Sequence, residues 1–60
     1  MLMEAFSILI KRVINNLNGR REFSEIVEAI EAISLEQNLS ILEEARLFED
    51  VVRKLAKMEE

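Results

Sequence analysis

The 60-residue chain has no cysteine, histidine, proline, tryptophan or tyrosine, no threonine, and a single glycine. Each absence excludes something. Without Cys there is no disulfide, and without Cys or His the usual zinc sites and the Glu-x-x-His iron sites of helical bundles lose their ligands. A domain this short hides only about 60% of the surface its unfolded chain exposes. Such chains usually rely on a disulfide, a metal or a partner chain for stability. A partner chain is the one of the three that remains. The lack of Cys also fits a reducing compartment, so the expected localisation is cytoplasmic.

The same absences bear on chemistry. General acid–base and nucleophilic catalysis draw mainly on His, Cys, Lys or perturbed carboxylates held in a cleft. Of the four Ser residues, Ser24, Ser34 and Ser40 read as helix boundaries, and Ser7 has no identifiable base beside it. Gly19, alone, cannot build a phosphate loop. Glu22, Glu25, Glu28 and Glu31 recur every three residues but drift around a helix by about 60° per step, which fits a solvated acidic face better than a metal cluster. The expectation is therefore a protein with no enzymatic activity, no cofactor and no metal.

No apolar run approaches the roughly 20 residues of a membrane span. The apolar first ten residues are interrupted by Glu4, and Lys11 and Arg12 follow them instead of preceding them. This is the pattern of a buried helix and not of a secretory leader. As a surface anchor, that helix has too few cations on its polar face and no Trp.

What is present is an abundance of Leu, Ile and Val, half the residues being hydrophobic and a third charged, which argues for a folded chain. The net charge of −4 hides an asymmetry. Residues 1–21 carry Lys11, Arg12, Arg20 and Arg21 against Glu4, whereas residues 22–60 carry eleven acids against Arg46, Arg53, Lys54 and Lys57. Opposed segments of this kind attract one another, within a chain or between chains.

Apolar residues recur throughout at helical spacing. The chain is expected to be a single all-α domain over 1–60: a small bundle of about three helices, completed by self-association. Helix one should run over about 2–17, with Leu2, Phe6, Leu9, Ile10, Val13, Ile14 and Leu17 on one side and Glu4, Lys11 and Asn15 opposite. Asn18-Gly19 is a stop signal, since Gly adopts the left-handed conformation that closes a helix without steric cost. Arg20 and Arg21 then suit the negative end of the helix dipole. Helix two should run over about 24–34 from an N-cap at Ser24, with Ile26, Ile30 and Ile33 inward beside Val27 and Ala29. Helix three should run over about 40–58 from a capping box of Ser40 and Glu43. Ser34–Gln37 fits the same box, so the break between these helices has two candidate positions, and a continuous helix is the alternative.

Helix three carries two apolar stripes. Ile41, Ala45, Phe48, Val52 and Leu55 form one, and Leu47, Val51 and Met58 form another, offset by roughly a quarter turn. Together they cover about half the circumference, more than a helix with one neighbour needs. One alternative buries both inside the monomer. The expectation adopted is that the first stripe is core and that Leu47, Val51 and Met58, with Ile8 projecting from helix one, meet a symmetry mate or a larger protein. Two-fold dimers are the commonest such assembly. The function implied is a protein–protein interaction, adaptor or regulatory module. Glu49–Arg53 and Asp50–Lys54 have the favourable spacing for ion pairs along an exposed strip.

Nucleic acid is the alternative partner. Lys11, Arg12, Arg20 and Arg21, with Asn15, Asn16 and Asn18, gather near the end of helix one and could hold phosphates. Against this, a helix-turn-helix arrangement would present helix two or three to the duplex, and both are acidic. All three Phe fall on apolar stripes, leaving no platform for unpaired bases.

Overall fold

The computed structural model describes residues 2–58, and side chains over 6–58. Three helices, α1 (Leu2–Leu17), α2 (Phe23–Gln37) and α3 (Ile41–Met58), follow one another in the chain. Each packs against the other two. Among the described residues there is no strand. The expected core position of Leu2 and outward position of Glu4 lie outside the described side chains.

The helices begin and end where local chemistry dictates. At the end of α1, Asn18 and Gly19 have φ of 52° and 88°, the left-handed turn expected of that pair. Arg20 reaches back, its Nε donating to the Leu17 carbonyl at 3.0 Å and its Nη2 to the Asn16 carbonyl at 3.2 Å. Two carbonyls left over at the helix terminus thereby receive charged donors.

Both ends of α2 depart from expectation. It starts at Phe23, after an extended Glu22 that makes no side-chain cap, so Ser24 lies inside the helix and is not its N-cap. It ends at Gln37 instead of Ser34, because Asn38 takes the left-handed conformation at φ 55°. The Asn38 N–H donates to the Leu35 carbonyl at 3.3 Å and the Leu39 N–H to the Ser34 carbonyl at 3.0 Å. This pairing closes a helix C-terminus with an apolar residue folded under it, and Leu39 does pack against the core. The capping box at Ser40 is formed: the Glu43 N–H donates to Ser40 Oγ at 3.2 Å, and the Ser40 N–H donates to Glu43 Oε1 at 2.9 Å. The break between α2 and α3 is therefore at 38–40.

One core runs through the bundle: Leu9, Val13 and Leu17 from α1, Ile26, Ile30 and Ile33 from α2, and Leu47, Val51 and Leu55 from α3. Phe6, Ile10, Ile14, Ala29 and Phe48 are partly buried against it. The inward stripes of α1 and α2 are as the spacing predicts. That of α3 is not. Leu47 and Val51 are fully buried within the chain, while Ile41 is 84% exposed and Val52 42% exposed. The physical reason is the geometry of three helices in mutual contact. The line of α3 that meets both α1 and α2 passes through Leu47, Val51 and Leu55, and the neighbouring stripe is left on the side away from α1.

Candidate protein interface

That leftover stripe and the adjoining face of α2 make an open apolar groove of about 390 Å³. Ile30 forms its floor, and Val27, Ile41, Ala45, Phe48 and the aliphatic part of Glu44 form its walls. Phe23 extends it, its ring tilted 60° against that of Phe48 with centroids 5.6 Å apart. Phe23 itself is 71% exposed. Beyond Phe48 the apolar surface continues to Val52, which shares a shallower hollow with Arg21, Ile26, Leu55 and Ala56.

The sequence explains why this face is apolar on both sides. In α2 the spacing Phe23, Val27, Ile30, Ser34 alternates four and three residues, and in α3 Ile41, Ala45, Phe48, Val52 does the same. This is the repeat that keeps a helix face aligned with a neighbouring helix. Each helix thus has one apolar line for the monomer core and a second beside it, and the second lines of α2 and α3 lie side by side. Total accessible surface agrees that burial is incomplete. The chain exposes 4704 Å², against roughly 4,000 Å² for a typical folded monomer of its mass.

Of the residues expected to form an interface, Leu47 and Val51 are core, which removes them from any surface a partner can reach. Ile8 and Met58 are on the surface, 58% and 54% exposed, but neither lines the groove. The groove residues were read as core from the sequence because both stripes of α3 are similarly apolar. Periodicity alone does not say which of the two faces inward.

The four expected phosphate contacts do not form one free patch. Lys11 is exposed on α1. Arg12 spans to α2, its Nη2 lying 2.7 and 2.9 Å from the two carboxylate oxygens of Glu36. Arg20 caps α1 and lies 3.7 Å from Glu25. Arg21 Nη1 donates to the Leu55 carbonyl of α3 at 3.3 Å. Three of the four guanidinium or ammonium groups are thus engaged within the chain, tying the basic first third to the acidic helices.

Further charge on α3 is local. Glu49 and Arg53 pair at 2.9 Å, as their spacing predicts. Among the described residues, Asp50 and Lys54 do not pair. No group of three acidic, His or Cys side chains is arranged to hold a metal among the described residues. No helix there is long and apolar enough to cross a membrane. Every buried side-chain nitrogen or oxygen among them has a hydrogen-bond partner. Compared with protein-family models, curated proteins and solved structures, the chain has no match.

Proposed function

We propose that this protein is a small, non-enzymatic interaction or regulatory module that self-associates through the apolar groove between α2 and α3. The groove carries the reading. It places Phe23, Ile41, Phe48 and Val52 in contact with water along two adjacent helices. A continuous apolar patch of this kind on a small protein marks a binding surface. Its flanks are polar, with Glu31 on α2 and the Glu49–Arg53 pair on α3, the apolar-centre and polar-rim pattern of protein interfaces.

Sedimentation equilibrium over a wide concentration range tests this, with circular dichroism on the same samples. The expected result is a dimer or other closed oligomer. Ile41→Glu should shift it to a folded monomer, because a carboxylate in the first turn suits the helix while desolvating it in the groove does not. A wild-type chain that stays monomeric at high concentration overturns self-association. Binding to duplex DNA that weakens steeply with salt would instead favour the basic residues as the working surface.

A further inference from the structure

The groove has a shape and a charge pattern that specify how a second copy would occupy it. We infer that two α2–α3 hairpins pack face to face about a two-fold axis parallel to their helices. The result is an antiparallel four-helix bundle in which each α3 lies along the partner's α2. The inference rests on the reading of the groove as a self-association surface.

The alternating four-and-three spacing of Phe23, Val27, Ile30, Ser34 and of Ile41, Ala45, Phe48, Val52 is what four mutually antiparallel helices require along their shared centre. Two such two-fold arrangements exist. With the axis across the helices, α2 faces its own copy and α3 faces its own copy. With the axis along the helices, α2 faces the partner's α3. The residues flanking the groove separate these. Glu28 and Glu31 flank it on α2, while Arg46, Glu49 and Arg53 flank it on α3. Pairing α2 with itself brings acidic flank to acidic flank. Pairing α2 with the partner's α3 brings acids to arginines.

The levels also match. Within one chain α2 and α3 run antiparallel, with Phe23 beside Phe48 and with Val27 and Ile30 beside Ile41 and Ala45. An axis parallel to the helices leaves every level unchanged. Glu28 of one copy then stands at the height of the partner's Arg46, and Leu35 stands close to the height of the partner's Leu42. Leu35 and Leu42 are 84% and 81% exposed, and the monomer gives them nothing to bury against. Wound at about 3.6 residues per turn, each lies on the flank turned toward the second hairpin. The arrangement closes them on each other twice, once at each side of the bundle.

The chain's lack of Cys makes the test direct. Leu35→Cys and Leu42→Cys are prepared as separate proteins, both at exposed positions, and circular dichroism checks that each is folded. Mixed and oxidised, they should give a cross-linked heterodimer, while each alone gives little. Cross-linking of a Leu42→Cys and Ala56→Cys mixture instead would establish the axis across the helices and overturn the inference. Absence of any Leu35–Leu42 link in a chain that sediments as a dimer overturns it too, leaving the groove reading intact. A monomeric wild-type chain overturns both. As a second readout, Arg46→Glu should raise the dimer dissociation constant about tenfold, since two symmetry-related pairs are each inverted. Adding Glu28→Arg in the same chain should restore it; failure to restore it counts against the pairing.

Discussion

Arg12 on α1 holds both carboxylate oxygens of Glu36 on α2, at 2.7 and 2.9 Å, across 24 residues of sequence. This is where the basic first third of the chain meets the acidic remainder. The Arg12 hydrogen bond, foremost, holds the Glu36 carboxyl below its usual range; partial loss of water opposes this, and the Arg12 charge and a Gln37 hydrogen bond add to it. A carboxylate whose folded pKa is depressed adds stability above its unfolded pKa, and that stability is lost as pH falls through the folded pKa. Glu36→Gln should therefore lower the melting temperature at neutral pH. Both side chains are substantially exposed, so the loss should be a few degrees at most and shrink in high salt. In thermal melts run downward from pH 7, the variant and wild-type curves should converge once Glu36 is protonated. A difference that persists in acid would mean the substitution acts through packing.

The Ser40–Glu43 box is a second isolated device. Ser40→Ala leaves the Glu43 N–H without its acceptor, which costs about 1 kcal/mol at a helix N-terminus. For a domain of this size that corresponds to a fall of roughly 4–8 °C in melting temperature. Groove-dependent association should be unaffected once the sample is cold enough to be fully folded. Unchanged thermal stability would show that water replaces the hydroxyl without loss.

Gly19 offers a backbone test free of packing effects. Its φ is 88°, and a Cβ placed there meets nothing within 4 Å. Any cost of Gly19→Ala is then conformational alone, roughly 1–2 kcal/mol. Asn38, at φ 55°, sits in the same region but closes α2 with a side chain that tolerates it. Asn38→Gly should be close to neutral in denaturant melts, whereas Asn38→Val should be clearly destabilising.

These elements also show what the sequence makes legible. The Asn18-Gly19 stop, the inward stripes of α1 and α2, and the Ser40 box each rest on a local rule that tertiary packing did not override. The end of α2 was misplaced because Ser34 and Gln37 imitate a capping box. The available signal was Asn38 followed by apolar Leu39, a left-handed residue with a hydrophobic residue folding under it. Ser24 misled for a similar reason, since a Ser near a helix start is often its cap and here Glu22 precedes the first turn uncapped. The groove was hidden for a different cause. Leu47, Val51 and Leu55 and their neighbours Ile41, Ala45, Phe48 and Val52 differ little in hydrophobicity, and only the docking of α1 decides which set is enclosed. The sequence revealed that α3 has more apolar surface than one neighbour covers, but not which half is left over.

Val51 and Val52 turn that ambiguity into a measurement. They are adjacent and chemically identical, yet Val51 is fully buried while Val52 is 42% exposed at the groove. Glutamate at Val51 would strand a carboxylate among apolar side chains of all three helices, where an unpaired charge costs several kcal/mol, comparable to the whole stability of a small domain. Val51→Glu should accordingly lose its helical circular dichroism at neutral pH. Val51→Ala, which only removes methyl groups, should fold with reduced stability. Val52→Glu keeps the carboxylate in water when the chain is alone, so its dichroism should match the wild type, while sedimentation should show the dissociated chain. If both glutamate variants unfold, the groove stripe is needed for the fold itself, as in an obligate dimer without a stable monomer. If Val52→Glu folds and still associates as the wild type does, the groove is not the surface through which copies meet.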